Sequence, residues 1–317
     1  MNEPLLSICI PTYNRDYLID ICLNNICPIA KKYNIPIFIS DNASPDNTEE
    51  VINNYTHKFN NVSYFRQVNN IGPDKNFEFV LKQPDTKYCW LFGDSAVIHE
   101  KNLIQLLDDL SKKEYDIYII GSKDRTEGMN EKIYTSHNEL LNELGWHITL
   151  LSCLIYNKTL LDKANFKRYY NSHFIQCGII FEHCSYQSFY IKFNPAIQLD
   201  ENNFEKTGGW YNTPFEVFCK DWFLYVISLP CNYSFESKKK CIMDHGIKSG
   251  LFKIRNIFIA RMNNLFSVKI LFKYKYFIAN TIKYPTFLLF LIAIIPRHLL
   301  KIIKRIYLIR KFFIKYS

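Results

Sequence analysis

Two stretches near the start of the chain, LLSICIPTYNRD (residues 5–16) and IPIFISDNASPDNT (residues 35–48), decide the fold. Each is a short apolar run that stops at a polar, turn-forming cluster. Leu5–Ile10 is closed by Pro11, and Ile35–Ser40 is closed by Asp41-Asn42. Between them, Leu18, Cys22, Ile26 and Ile29 recur at helical spacing over 17–33, with Asp16 placed as an N-cap. Strand, turn, helix, strand, turn is the opening of a parallel α/β sheet. Ligands in such sheets bind beyond the carboxyl ends of the strands. Pro11, Thr12, Tyr13 and Asp41 fall at that edge.

The pattern continues. Strands are expected near 62–65, 88–92 and 115–120, and helices near 46–56, 74–82 and 101–113. The repeating order favours a mostly parallel sheet with helices on both faces. Beyond residue 121 the signal weakens. Residues 122–138 read as an exposed polar loop, 138–146 as a helix, 150–156 as a strand and 202–214 as a mobile loop. An amphipathic helix fits 215–229.

Four segments in order, IPTYNR (10–15), ISDNASPDNT (39–48), NNIGPDKN (69–76) and YCWLFGDS (88–95), resemble a family 2 glycosyltransferase of the GT-A fold, the group that builds bacterial surface polysaccharides. The resemblance covers about the first third of the chain. It implies an enzyme, an inverting transferase moving a sugar from a nucleotide diphosphate, UDP above all, onto a glycan or lipid-linked saccharide. It implies that Asp41 bonds the nucleotide base and that Pro11, Thr12 and Tyr13 wall it, with Arg15 nearby. Asn70 and Lys75 match the family's Asn-x-Gly…Arg-Asn segment, where a cation contacts the base or offsets phosphate charge. Asp94 and Ser95 stand at the Asp-x-Asp element, whose last acid binds Mg²⁺ or Mn²⁺ in the family. Here Gly93-Asp94-Ser95-Ala96 lacks that acid, which puts the metal in question. His245, in the expected loop CIMDHGIKSG, is a candidate second metal ligand, with Lys248 close by. An inverting transfer needs a carboxylate near the acceptor hydroxyl. Glu182 after CGIIF and Asp221 before Trp222 are the candidates, although for each a plain surface acid is the simpler reading.

Charge is unevenly spread. Of 39 Lys and Arg and 30 Asp and Glu, residues 238–317 hold 18 basic side chains and the single acid Asp244. The body before them is mildly acidic. The chain therefore divides into a transferase domain at 1–235 (nucleotide half 1–120, acceptor half 121–235) and a basic helical extension at 236–317. Phe287–Ile295 is wholly apolar, but nine residues make a helix of about 14 Å against a bilayer core of about 30 Å. The segment 297–317 interleaves Leu and Ile with Lys and Arg, the pattern of a basic helix lying on an anionic membrane. So much apolar surface argues against nucleic acid as the partner. The ten cysteines show no CxxC pair; Cys9, Cys89 and Cys153 sit in apolar runs and read as core residues, reduced thiols in a cytoplasmic protein are the simplest reading, and no signal peptide is visible. The expected location is the inner face of the cell membrane, as a peripheral protein. The rival reading is an impaired GT-A-like protein that docks on a membrane or a partner transferase, with Ala96 as its support. A nucleotidyltransferase would open on a glycine-rich loop, and PTYNRD has none.

Overall fold

The computed structural model describes residues 4–123, 125–201 and 212–302. Two compact units divide the chain: Met1–Glu205 with Leu229–Ser237, and Lys206–Ser228 with Lys238–Ser317.

The first unit is built on one sheet. Its strands are β1 (Leu6–Thr12), β2 (Ile37–Asp41), β3 (Val62–Arg66), β4 (Tyr88–Leu91), β5 (Ala96–Ile98), β6 (Ile117–Ser122), β7 (Lys132–Tyr134), β8 (Leu154–Asn157) and β9 (Ile191–Glu201). They lie in the order β3-β2-β1-β4-β8-β6-β9-β5, with β7 on β9. The expected parallel arrangement holds over β3-β2-β1-β4, and β8 then enters antiparallel to β4 and makes the far half mixed. All seven residues of β1 are buried, as a central strand covered on both faces requires. Helices flank both sides of the sheet. They are α1 (Asp16–Lys32), α2 (Thr48–Lys58), α3 (Pro73–Leu81), α4 (Glu100–Lys112), α5 (His137–Leu144), α6 (Lys158–Lys163) and α7 (Ile175–Tyr186). Their stripes do the packing: α1 buries Leu18, Cys22 and Ile26 with their neighbours, and α4 buries Leu103, Leu106 and Leu110.

Two local expectations change. Asp16 is the first helical residue rather than the cap; Arg15 precedes it, and Asp16 Oδ1 accepts from Tyr17 N at 2.7 Å. Residues 122–138 are not wholly a loop, because β7 pairs with β9 and buries Tyr134. Most of the 202–214 loop lies outside the described residues.

The second unit is helical. A π-helical turn (Glu216–Asp221) runs into α8 (Trp222–Ser228); α9 (Phe235–Lys248), α10 (Ile254–Met262), α11 (Val268–Lys273), α12 (Lys275–Thr281) and α13 (Thr286–Ile294) follow. The unit's core is aromatic. Phe215 stacks on Phe266 at 4.7 Å between ring centres, and Phe218 stacks on His245 at 5.1 Å. His245 is fully buried on α9, with Trp222 on it at 5.0 Å, so it belongs to no loop. Gly246 is needed beside it: a Cβ there would sit 1.8 Å from the Thr281 carbonyl oxygen. Of the basic helix expected over 297–317, residues 303–317 lie outside the described part.

Candidate functional site

The parallel register sets Thr12 beside Asp41 and Asp41 beside Arg66, all at carboxyl ends of strands. Three loops leave from these ends, and side chains tie them together. Asp41 is completely buried. Its Oδ1 accepts from Ser44 N at 2.9 Å and from the Ser44 hydroxyl. Its Oδ2 accepts from Tyr64 Oη at 3.0 Å and pairs with Arg66 at 2.8 Å. Arg66 also donates to Ser44 O at 2.9 Å. A buried carboxylate is stable only when its lone pairs are filled this way. Ser44 Oγ then accepts from Asn14 N at 2.8 Å, Thr48 Oγ1 from Arg15 N at 3.3 Å, and Asp46 from Asp16 N at 3.0 Å. Asn14 takes a left-handed φ of 55° in this turn, a conformation asparagine tolerates. Tyr13 is left exposed at the edge.

The loop after β4 closes onto the same place. Asp94 accepts from Thr12 Oγ1 at 3.0 Å and pairs with Arg15 at 3.1 Å. Burial raises its carboxyl above the usual range, and Arg15 and the Thr12 bond oppose that rise. Gly93 N is held by Ser152 Oγ at 2.9 Å. Ser95 follows half-buried, and Ala96 already begins β5.

The loop after β3 adds a third wall. Asn42 Nδ2 donates to Asn70 Oδ1 at 3.0 Å, and Asn42 Oδ1 accepts from Ile71 N at 2.8 Å. Gly72 stands before α3 with φ 84°, and Pro73 opens the helix. Gly72, Asp74, Lys75, Tyr170 and His173 line a cavity of about 110 Å³. Lys75 Nζ lies 5.5 Å from the Tyr170 ring centre. Asp74 is buried; its Oδ2 accepts from His173 N at 3.3 Å and burial raises its carboxyl.

The structure therefore brings together Pro11, Thr12, Tyr13, Arg15, Asp41, Asn70, Asp94 and Ser95 at adjoining strand ends, and places Lys75 on the adjoining helix. Glu182 is not among them. It sits on α7 seven residues past Ile175, about 10 Å along the helix axis, and pairs with Arg168 at 3.4 Å. Asp221 lies in the second unit, where it pairs with Lys220 at 3.2 Å. His245 as a metal ligand is corrected by its ring stacking in that unit's core, and Lys248, at the end of α9, pairs with Asp244 at 2.8 Å. Among the described residues no group of three or more His, Cys, Asp or Glu is arranged to hold a metal. Arg66, Tyr64, Ser44, Asn42 and Asp74 are the residues the sequence reading missed. The one available signal was register: two parallel strands ending at Asp41 and Arg66 must set those charges side by side.

A family model described as glycosyl transferase family 2 matches residues 7–189. The abequosyltransferase RfbV of Salmonella typhimurium is 33% identical over 190 residues, which cover 52% of this chain and 56% of that protein. The chain thus spans little more than half the length of that relative. Among solved structures, S. aureus TarS is similar with a TM-score of 0.52 at 17% identity, over 80% of this chain and 74% of that one. The mannosyltransferase PcManGT of Pyrobaculum calidifontis is similar with a TM-score of 0.57 at 11% identity, over 86% of this chain and 79% of that one. Both likenesses bear on the fold.

Proposed function

The chain belongs to glycosyl transferase family 2, and we propose that it transfers a sugar, with inversion, from a nucleotide diphosphate donor to a saccharide acceptor in surface-polysaccharide assembly. The observation that carries the reading is the loop 12–15. It bonds the Asp41 loop through its backbone and Asp94 through Thr12 and Arg15, so base-side and phosphate-side groups share one rim. The base would lie along Tyr13 and the Asp41 turn. Arg15 and Lys75 would offset diphosphate charge as the leaving group departs. The fold neighbours are shown with UDP-GlcNAc in one case and with GDP-Man and Mn²⁺ in another, which supports a nucleotide-sugar donor. The surface-polysaccharide setting draws on the abequosyltransferase relative.

A divalent ion fits the residues in a limited way. Asp94 offers one carboxylate, and Ala96 offers nothing. Mg²⁺ is commonly held by one or two carboxylates plus substrate phosphates and water, so Asp94 would hold it with the diphosphate. The ion would supply charge neutralisation there.

The proton acceptor is placed on Asp74 rather than on Glu182 or Asp221. Asp74 lines the cavity beside the cluster, and burial raises its carboxyl, which makes it a stronger proton acceptor than an exposed carboxylate. Calorimetry with UDP, CDP and GDP, with and without Mn²⁺, tests the donor site; failure to bind any of them overturns the assignment. Asp74→Asn should keep nucleotide affinity and abolish sugar transfer in a mass-spectrometric donor screen. Transfer at the native rate would remove Asp74 from the chemistry.

A further inference from the structure

No single helix among the described residues is long and apolar enough to cross a membrane; α12 and α13 reach that composition only as a pair, bent by 118°. The sequence of α13, TFLLFLIAI, is apolar all round, yet the helix is not buried all round. Leu289, Ile292 and Ala293 face inward. Phe287, Phe290, Leu291 and Ile294 face solvent, with Phe287 69% and Leu291 50% exposed. Offsets of three, four and seven residues put these four on one stripe. The stripe continues onto α11, where exposed Phe272 meets Phe290 at 6.4 Å, and exposed Leu299 and Ile302 follow it in sequence.

Exposed cations surround it in sequence: Lys269, Lys273, Lys275, Lys283, Arg297 and Lys301. Between residues 238 and 302 the one acid is Asp244, and Lys240 and Lys248 hold it at 2.7 and 2.8 Å. A contiguous apolar patch on a water-facing surface marks an interaction site. A second copy of the chain would set these lysines against one another. An anionic lipid surface would neutralise them and take up the aromatic stripe.

We propose that α13 is an interfacial anchor: its Phe287–Ile294 stripe inserts among the acyl chains of an anionic leaflet while the flanking lysines meet the headgroups. At nine residues α13 is about 14 Å long, so it lies in the interface and does not cross it. Each lysine near such a surface is worth roughly a fivefold factor in partitioning. The anchor is independent of the transferase reading.

The test is flotation of the full chain with vesicles of phosphatidylcholine alone and of phosphatidylcholine and phosphatidylglycerol in equal parts. The native chain should float with the anionic vesicles and at least tenfold less with the neutral ones. Phe287→Ser with Leu291→Ser, both at exposed positions, should cut anionic-vesicle binding at least tenfold while leaving the melting temperature and nucleotide affinity unchanged. Lys273→Glu with Lys275→Glu should cut it at least as far. Unchanged flotation of the serine variant would overturn the proposal and leave the anchor to residues beyond 302. Equal binding to neutral vesicles would overturn it too. A native dimer that the serine variant turns into a monomer, with no vesicle binding in either, would assign the stripe to self-association instead.

Discussion

Asp41→Asn tests how the site is held together. The carboxylate takes two donors on each oxygen: Ser44 N and Oγ on Oδ1, Tyr64 Oη and Arg66 on Oδ2. An amide offers one oxygen and one NH₂. Whichever way it is turned, one pair of donors then faces a donor. With the oxygen toward Ser44, Tyr64 can rotate its hydroxyl, but Arg66 has no acceptor to offer. A hydrogen bond to a charged partner is worth about 1.5–3 kcal/mol and a neutral one about 1 kcal/mol. The Arg66 side chain is 35% exposed, which argues for the lower end. It also keeps Ser44 O and its pairing with Glu49 at 3.3 Å. The expected loss is about 3 kcal/mol in all, or roughly 6–12 °C in melting temperature for a unit of this size. Urea melts of the two proteins would measure it, with calorimetry on UDP run beside them below the transition. If Asp41→Asn melts within about 1 kcal/mol of the native chain, the carboxylate is not the hub of these loops. If it folds and still binds UDP with native affinity, nucleotide binding does not depend on the Asp41 charge.

Asp94 has its carboxyl raised by burial and held back by Arg15. Protonation of such a group favours the fold, so its contribution to stability falls as pH rises from the ordinary carboxylate value through the raised one. Binding that needs ionised Asp94 has the opposite sign and is lost as pH falls through that raised value. Arg15→Gln should move this loss of nucleotide–Mn²⁺ affinity to higher pH; superimposable pH profiles would refute the coupling. His147 is fully buried, Nε2 bonded to Ile120 O at 2.9 Å, and burial with the nearby Arg125 charge lowers it to about 3. It is neutral in the fold, while the unfolded chain takes up a proton near pH 6.5. Stability should therefore be full above that value and fall by about 2 kcal/mol from pH 7 to pH 5 through this group; an imidazole resonance titrating near 6.5 would contradict it. Gly246→Ala must push α9 from the Thr281 carbonyl and should cost about 3 kcal/mol in a urea melt; an unchanged midpoint would refute the close approach.

The near half of the sheet was legible because each strand and helix there carries its own local signal. The helix expected at 17–33 is Asp16–Lys32, and that expected at 101–113 is Glu100–Lys112. Polar clusters beginning at Thr12, Asp41 and Gly93-Asp94 mark the strand ends, with Pro11 itself paired inside β1 rather than closing it, and the strand ends are the candidate site. The far half was not legible for a physical reason. β9 carries Pro195, which argues against a central strand, and the chain meets this by slipping register: Ile120 pairs with Asn194 and Gly121 with Gln198. α7 is buried along most of its length, so IQCGIIFEHCSY has no polar stripe to mark a helix. His245 was misplaced for a similar reason. His-Gly followed by Lys-Ser-Gly reads as a turn, but the glycine serves close helix packing, a long-range contact that local sequence does not show.

The absence of an acid at position 96 is better understood from the neighbours of Asp94 than from the gap itself. A second carboxylate would need a strong counter-charge to lie beside a buried Asp94, because two like charges in one site cannot both stay ionised at ordinary pH. With Ala96 starting β5 instead, Asp94 is neutralised within the protein by Arg15, 3.1 Å away, and oriented by Thr12. The guanidinium carries its charge at every working pH. The candidate rim therefore carries Arg15, paired with Asp94, and Lys75 on the adjoining helix. On the proposed reading, Arg15, Lys75 and any divalent ion would share the neutralisation of a departing diphosphate, so a single acidic ligand would hold the ion more weakly without removing all of the positive charge from the rim.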